Sequence, residues 1–384
     1  MQPEDVNQMA DTKTFPKADH LAYRLLELIA ICGEFPADLI NRLPESPSYL
    51  ETVIRSLKQD KLLKTFYRDK LRGYRLSGSA KAFLLAQNPD RFSFYLTGSS
   101  DTNLLKSEPA RRLRLHRLAE VYVLMMNSDV PVFRDEKPAL FSPAGCPVRS
   151  LQAAAFYSSR EIKELGVEAI KIRGSRMMGA LLTPSGIYVT YNGIQNFAKW
   201  DYRAEQRAKA LLNSILCHDR LSRQYRSGQL HALLLSSDLD LLHELLSTAD
   251  TGARCFFLLD GNYDHFFFLT NDHFGQVQIR LLCSPSLRIA LDRILMQGLY
   301  PRKPGLPIEH DAIGKQGEPV LFSYLPDIPR LNRFHTALQL QERTGTAICF
   351  DFQKEVLSRC LDDRVQIQTI SFEKFEGRFF HRQG

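Results

Sequence analysis

The sequence predicts an α+β chain, in which a small helical domain with a basic hairpin is followed by a larger region of mixed α/β structure. Three observations lead to this fold class. Three helix patterns and two short strands occupy residues 18–87, and from about residue 131 apolar strands alternate with amphipathic helices. The 384 residues are enough for two or three domains of about 100 to 200 residues each.

Two helices open the small domain. In the first, leucine and isoleucine recur at helical spacing until Gly33 ends the pattern. Pro36 then opens a short second helix, in which Leu39, Ile40 and Leu43 are expected to face inward.

The third helix has one apolar and one polar face. Ser46 is its predicted N-cap, and Pro47 takes the first helical position, where a missing N–H costs nothing. The apolar positions follow helical spacing: Leu50, Val53, Ile54 and Leu57. The opposite face carries Tyr49, Thr52, Arg55 and Gln59, with Ser48 beside them. Such side chains are suited to hydrogen bonds with phosphates or base edges in a major groove.

A basic hairpin follows the third helix. Residues 61–68 alternate basic and apolar side chains, residues 69–73 form the predicted turn, and residues 74–76 return as a strand. From Arg55 to Lys81 there are nine lysines and arginines against two aspartates, a balance of +7 that equals the net charge of the whole chain. The charges of the other residues therefore cancel, which indicates a localised basic surface.

This order of helices, strand, turn and strand is typical of a winged helix, whose third helix enters the major groove. The sequence therefore predicts binding to double-stranded DNA. The predicted contacts are Tyr49, Thr52, Arg55 and Gln59 from the helix and Lys64, Arg68, Lys70 and Arg72 from the wing. Winged helices also mediate protein contacts, so a transcriptional regulator or a protein-interaction adaptor is an alternative.

The predicted organisation has five parts: a flexible amino terminus (1–17), the winged helix (18–97), a linker with a connecting helix (98–130), an α/β domain (131–225) and a second α/β unit (226–384). Strands are predicted at 153–157, 169–172, 180–182, 187–192, 230–235, 255–259, 265–269, 277–282, 320–324, 347–350 and 365–370. Helices are predicted at 159–165, 201–216, 239–248, 287–299, 328–342 and 353–360. The middle domain is compatible with a degenerate nuclease-like sheet.

The chain is expected to be cytoplasmic. No apolar run approaches the roughly 20 residues that span a bilayer, and the amino terminus lacks the apolar core of a secretory signal. The seven cysteines are scattered and form no CxxC pair, so reduced thiols are expected rather than disulfides or a zinc site.

The common motifs of enzyme chemistry are missing from the sequence. There is no P-loop, no GxGxxG, no GxSxG and no HExxH, so neither a cofactor nor a metal is expected. The alternative is a metal-dependent nuclease or nicking enzyme that uses Glu168, Lys171, Asp201 and Glu205. Because Glu168 and Lys171 are three apart on a predicted strand, they would point to opposite faces, which favours a scaffold over a catalytic centre.

Three further groups of residues contain side chains of the metal-binding or catalytic type, but a structural role is favoured for each. They are the pairs Asp264-His265 and Asp272-His273, the helical trio Arg112, His116 and Glu120, and the strand tyrosines Tyr188 and Tyr191. We expect the Asp-His pairs to lie at strand ends, the helical trio to form an ion-paired helix surface, and the two tyrosines to pack between strands.

Several short segments of the sequence resemble those of one known family. GYRLS leading into a helix, RRLRLHRLAEVY, AFYSSREIKEL, SRMMGALLTPSGIYVTYN and KWDYRAEQRAKALL are together similar to the replication-relaxation family of Gram-positive plasmids and integrative conjugative elements. The likeness covers roughly residues 18–220. It implies a DNA-associated protein of a mobile genetic element that acts in replication, relaxation of supercoiled origin DNA or conjugative transfer. It carries no defined catalytic set.

The expected partners follow from this reading. They are double-stranded DNA and the replication or transfer proteins of the element, and no membrane. One wing-bearing domain docks a single half-site, so the geometry of DNA is compatible with a homodimer, although no heptad repeat is visible.

Overall fold

The computed structural model describes residues 15–98, 108–143, 145, 147–165, 174–194, 202–247, 263–302 and 304–380. The chain divides into two compact units. One comprises residues 1–123 and 133–135, and the other comprises residues 124–132 and 136–384. The strands predicted at 169–172 and 255–259 lie outside the described residues. No helix of the described segments is both long and apolar enough to cross a bilayer.

The first unit combines helices with a small antiparallel sheet. Its helices are α1 (Leu21–Cys32), α2 (Pro47–Gln59), α3 (Gly78–Gln87), α4 (Pro89–Leu96) and α5 (Pro109–Asn127), whose last four residues belong to the second unit, with a 3-10 helix at Asp38–Arg42. Its strands are β1 (Phe35–Pro36), β2 (Leu63–Arg68) and β3 (Leu71–Leu76), in the order β1-β3-β2. The helices and strands predicted between residues 18 and 87 are therefore present, except that Pro36 lies in β1 and the second helix is a 3-10 helix that begins at Asp38.

The core of the first unit forms where helical spacing predicts it. Leu50, Val53, Ile54 and Leu57 of α2 are all buried. Helix α2 contacts α1, β2 and the 3-10 helix, and α1 in turn contacts β3. This amphipathic arrangement holds α2 with its polar face in solvent.

Residues 88–97 of the predicted winged helix carry no predicted helix or strand, but they contain α4. The Asn88 side chain caps this helix by accepting from the Arg91 N–H at 3.0 Å, and Pro89 takes the first position. Phe92, Tyr95 and Leu96 are buried beneath it. A short helix with a strong cap thus forms inside a stretch that is rich in turn-forming residues.

The second unit contains two five-stranded mixed sheets. The first has strands β4 (Ala155–Ser158), β5 (Gly179–Thr183), β6 (Gly186–Ile194), β7 (Leu230–Ser236) and β8 (Phe266–Thr270), in chain order. The second has strands β9 (Tyr300–Pro301), β10 (Ala312–Ile313), β11 (Pro319–Phe322), β12 (Gly345–Phe350) and β13 (Val365–Ile370), also adjacent in chain order. Pairs β6-β7, β7-β8, β11-β12 and β12-β13 are parallel, and the other pairs are antiparallel.

Helices connect and cover these sheets. They are α6 (Ser159–Ile162), α7 (Tyr202–Leu212), which continues as a π-helix (Asn213–Arg220), α8 (Asp240–Ser247), α9 (His273–Cys283), α10 (Pro285–Leu295), α11 (Ile328–Leu340), α12 (Lys354–Cys360) and α13 (Phe372–Phe379). A single apolar core extends from Leu140 to Val365 and includes strands of both sheets. Mixed α/β structure is therefore what this region has, as the sequence predicts.

The predicted division between residues 225 and 226 does not separate two bodies. It falls between β6 and β7, which pair in parallel from Ile187 and Leu230 onwards. The shared core confirms that the two predicted α/β regions form one compact unit. Alternating strands and helices do not reveal where one sheet ends, because both sheets continue the same alternation.

The strand predicted at 277–282 is wrong, since these residues belong to α9. The Asp272 side chain accepts from the Gly275 N–H at 3.1 Å and caps the helix. Val277, Ile279 and Leu282 are buried in this helix although they do not lie on one helical face. From Val277 to Leu281 apolar and polar residues alternate, which is the period of a half-buried strand, and this pattern favoured the wrong element.

Candidate nucleic-acid interface

The polar face of α2 is exposed as the sequence predicts. Tyr49, Thr52, Arg55 and Gln59 all lie at the surface, and Tyr49 is 53% exposed. The Thr52 hydroxyl donates to the Ser48 carbonyl oxygen at 2.9 Å, so toward a ligand it can only accept. Arg55 carries the positive charge of the exposed face and makes no ion pair with the described residues.

The turn of the hairpin is tighter than predicted. Only Asp69 and Lys70 connect the strands, and both have positive φ, 53° and 61°. Two positive φ values in a two-residue connection are the geometry of a type I′ turn, which matches the twist of the strands. The predicted turn at 69–73 therefore shortens, and β3 begins at Leu71.

The hairpin carries its predicted contacts on different sides. Tyr67 lies opposite Arg72 in the register of β2 and β3. Because side chains alternate along a strand, Lys64 and Arg68 share one face of the hairpin, whereas Arg72 and Tyr67 share the other. Lys70 lies at the tip. All four predicted wing residues are exposed, but the fold does not bring them together on one surface.

A groove of about 620 Å³ lies between α2 and β3; we call it the α2 groove. Arg55 and Lys58 line it from α2, and Arg72 and Tyr74 line it from β3. The Lys58 Nζ lies 4.8 Å from the centre of the Tyr74 ring. Burial lowers the pKa of Lys58, and the nearby Arg72 guanidinium lowers it further.

The lining of the α2 groove is basic. Four cationic residues outnumber two acidic ones, and they are Arg55, Lys58, Lys70 and Arg72 against Asp38 and Glu51. The fold therefore holds like charges close together at an open surface. An anion that binds between them would reduce their repulsion.

The basic cluster of the sequence is only partly at the surface. Six of the nine basic residues from Arg55 to Lys81 are exposed: Arg55, Lys61, Lys64, Arg68, Lys70 and Arg72. Arg75 is instead 8% exposed and forms part of the interior. The local excess of charge available to a partner is therefore smaller than the sequence count.

A buried carboxylate lies beneath the hairpin. Glu34 is fully buried and accepts from the Arg75 Nε at 2.8 Å and from the Arg112 Nη2 at 2.6 Å. Its Oε1 also lies 2.8 Å from the His116 Nε2. We call Glu34, Arg75, Arg112 and His116 the Glu34 cluster. Its charges are paired within the protein interior, where an unpaired charge would be costly.

The Glu34 cluster fixes the hairpin to α5. Arg112 also donates to the carbonyl oxygens of Arg68, at 2.7 Å, and Leu71, at 2.9 Å, which flank the turn. The Arg75 and Arg112 guanidiniums both lie over the Phe66 ring, 4.0 Å and 4.6 Å from its centre. The turn is thereby held from its base, so the position of its tip is set by buried groups.

The sequence interpretation of α5 was incomplete. Arg112 and His116 are ion-paired, as expected, but they are buried rather than part of a helix surface. Burial raises the pKa of Glu34, but hydrogen bonds from His116, Arg112 and Arg75 outweigh it and lower the pKa from 4.5 to about 2.

Substituting Gly73 by alanine is expected to lower the free energy of unfolding by about 1 to 3 kcal/mol. A Cβ at this position would lie 2.5 Å from the Glu34 Oε1, and the cluster around that oxygen leaves the carboxylate little room to move. Gly78→Ala is the matched control, because its Cβ would meet nothing within 4 Å. Urea denaturation of both variants measures the difference; equal midpoints would contradict the tight contact.

One of the carboxylates of the alternative nuclease centre, Glu205, is already hydrogen-bonded within the protein. Glu205 is fully buried and accepts from the Ser175 hydroxyl at 2.7 Å, the Arg176 N–H at 2.5 Å and the Tyr191 hydroxyl at 3.2 Å. The other three candidates lie outside the described residues: Glu168, Lys171 and Asp201. Within the described segments there is no group of three or more metal-ligating His, Cys, Asp or Glu side chains.

The two Asp-His pairs of the sequence separate in space into unrelated contacts. His265 pairs with Asp327, Nδ1 to Oδ2 at 2.6 Å. Asp272 caps α9, and His273 lies 2.8 Å from Glu376, Nε2 to Oε1. The two pairs therefore do not form a joint site.

Sequence reasoning missed two residues of this surface. Tyr67 is 68% exposed beside Arg72, and Lys58 reaches the α2 groove from the margin of the helix. The alternation of residues 61–68 already places Tyr67 on one face with Thr65, so the period of the strand was a usable signal. The role of Lys58 depends on Tyr74, which no local spacing indicates.

Comparison with known proteins identifies no relative. No protein-family model matches the chain, and neither a curated protein nor a solved structure matches it at a significant level. A function therefore has to be inferred from the residues of the chain itself.

Proposed function

We propose that the first unit is a winged helix that binds double-stranded DNA, with α2 in the major groove and the hairpin of β2 and β3 as the wing. The observation that carries the proposal is the α2 groove, where the exposed face of α2 and the basic edge of β3 lie side by side. The helix contacts would be Tyr49, Thr52, Arg55 and Gln59, as the sequence predicts.

The arrangement supports different roles for the contacts, with some recognising bases and others binding phosphates. Arg55 is the exposed guanidinium of α2, and a guanidinium can bind a guanine edge through two hydrogen bonds. Lys70 at the tip of the hairpin and Arg72 of β3 both line the α2 groove, and they would contact phosphates beside the helix. Tyr67 offers an aromatic surface beside them.

Duplex binding by the full chain is expected to weaken steeply with salt. If the four cations that line the α2 groove each neutralise one phosphate, the logarithm of the affinity falls with a slope of about −4 against the logarithm of salt concentration. Between about 50 mM and 200 mM salt this is roughly a hundredfold loss. Fluorescence anisotropy with a labelled duplex pool measures the slope, and a salt-independent affinity would contradict the proposal.

Two alanine variants separate recognition from general attraction. Arg55→Ala is expected to lower affinity by about 1 to 3 kcal/mol and to broaden the set of sequences selected from random DNA. Arg207→Ala is the matched control, because Arg207 is an exposed arginine of α7, outside the proposed interface. Loss of the same size in both variants would argue against a specific role for α2.

Lys70→Gly is expected to change stability and DNA binding in opposite directions. Lys70 occupies a positive φ of 61°, a conformation that costs a side-chain-bearing residue about 1 to 2 kcal/mol and that glycine adopts freely. The variant should therefore unfold at an equal or higher urea concentration while binding DNA less tightly. Unchanged affinity at low salt would remove Lys70 from the interface.

The wider setting is also a proposal. The resemblance of residues 18–220 to the replication-relaxation family supports a role in the replication, relaxation or transfer of a mobile genetic element. Its partners would then be double-stranded DNA and replication or transfer proteins, with a homodimer on paired half-sites. For the sheet of β4 to β8 we propose a scaffold role, because the Glu205 carboxylate is already satisfied by protein donors.

A further inference from the structure

The second unit contains a half-open polar pocket of about 360 Å³, within the size range of small-molecule sites. Tyr188 and His231 line it from the first residues of β6 and β7, and His265 lines it from the start of β8. Arg288 of α10 and Tyr324, which follows β11, also line it. The pocket thus gathers titratable side chains from both sheets of the unit.

The carboxylates of the pocket are already paired. Asp327 accepts from His265 and from the Phe266 N–H, and Asp292 accepts from the Tyr324 hydroxyl at 2.7 Å. The remaining pairs are Asp311 with Arg330, and Glu309 with Arg330 and Arg333. The acidic residues therefore leave little free acceptor capacity toward a ligand.

The groups that remain are donors or cations. Arg288 is partly buried and donates to the Tyr324 hydroxyl, and it makes no salt bridge with a described carboxylate, so its other N–H groups remain for a ligand. His265 uses Nδ1 for Asp327, which leaves Nε2 without a partner among the described residues. The Nδ1 of His231 is buried and has no hydrogen-bond partner there either. Unsatisfied buried polar atoms are rare in folded proteins.

These groups lie close to one another. The His231 ring centre is 5.1 Å from that of His265 and 5.3 Å from that of Tyr188. Burial, together with the charges of His265 and Arg288, lowers the pKa of His231 to about 4. Burial raises the pKa of Tyr188 to about 12, against the effect of Arg288. Arg288 therefore acts electrostatically on both His231 and Tyr188.

We propose that this pocket binds a small organic molecule through a phosphate group, with Arg288 as the anchor and His231 and His265 as its flanking hydrogen-bonding partners. Guanidinium and imidazole groups that approach from separate elements suit the several outer oxygens of a phosphate better than the two oxygens of a carboxylate. The aromatic walls, Phe267 and Phe322, would face the organic part of the molecule. This site is independent of DNA binding by the first unit.

The test is a titration of the full chain with inorganic phosphate at constant ionic strength, followed through the imidazole signals of the histidines in nitrogen-correlated NMR spectra. The signals of His231 and His265 are expected to shift to saturation. His218 lies in the π-helix that follows α7 and serves as the internal control. Acetate is the second probe and is expected to bind more weakly. Shifts that do not saturate, or equal binding of acetate, would overturn the proposal.

Arg288→Met tests the anchor directly. It is expected to weaken phosphate binding by about 10- to 100-fold, because it removes charge-assisted hydrogen bonds. Arg293→Met on the same helix is the matched control, since Arg293 is exposed and lines no part of the pocket. Should Arg288→Met fail to fold, Arg288→Lys keeps the charge and should still bind more weakly than the parent. Parental affinity in the folded Arg288 variant would overturn the proposal.

Discussion

Replacing Glu34 by glutamine is expected to lower the free energy of unfolding of the first unit by about 3 to 5 kcal/mol. The substitution keeps the shape of the side chain but leaves the buried guanidiniums of Arg75 and Arg112 without their anion. The lowered pKa of Glu34 gives a stabilisation of the same size. A shift from 4.5 to about 2 corresponds to about 3 kcal/mol of interaction with the ionised form.

Hydrogen-exchange mass spectrometry is the suitable measurement, because it separates the two units of the chain. Peptides that cover residues 21–32 and 63–76 should lose protection in the variant, whereas peptides of the second unit should not. Glu51→Gln is the matched control, since Glu51 is an exposed carboxylate of α2 and its loss should cost less than about 0.5 kcal/mol. Equal protection in both variants would contradict the structural role of the cluster.

Acid provides a second test of the same group. Because the folded state lowers the pKa of Glu34, its contribution to stability is fully present above about pH 4.5 and is lost as the pH falls toward 2. The stability difference between the parent and Glu34→Gln should therefore shrink across this window. A difference that stays constant from pH 6 to about pH 2.5 would show that the carboxylate charge is not what stabilises the hairpin.

The parts of the fold that the sequence predicted are those whose one-sided burial leaves a period in the chain. Helix α2 is an example, because its four apolar residues face the core and its polar residues face solvent. Helix α9 is the opposite case. Its residues 277–281 alternate apolar and polar side chains, so the sequence showed the period of a strand instead of that of a helix.

The candidate interface also has features that the sequence predicted and features that it did not. Exposure of the eight predicted contacts follows from local patterning, and all eight are exposed. Their distribution over two hairpin faces depends on the register, which shifts with the length of the turn. The Glu34 cluster could not be predicted, because Arg112 lies 78 residues from Glu34 and no spacing links them. Long-range pairs of buried charges leave no local signal.

Two double charge reversals should identify the face of the hairpin that meets DNA. Arg55→Glu with Arg72→Glu removes two cations from the α2 groove, and we expect duplex affinity to fall by on the order of 100- to 1,000-fold. Lys64→Glu with Arg68→Glu makes the same change in net charge on the opposite face of the hairpin, so it serves as the matched control. Its expected loss is about tenfold, from long-range repulsion alone.

The comparison separates a shaped interface from a charged surface, because both double variants change the net charge of the chain equally. A purely electrostatic surface would respond equally to either variant, and the difference between them would vanish at every salt concentration. An interface built on α2 responds chiefly to the loss of Arg55 and Arg72, since these two of the four substituted residues line the α2 groove and the other two do not. A larger loss of affinity in the Lys64 and Arg68 variant would show that DNA contacts the other face of the hairpin, where Arg112 packs on Phe66. The proposed docking of α2 would then be wrong.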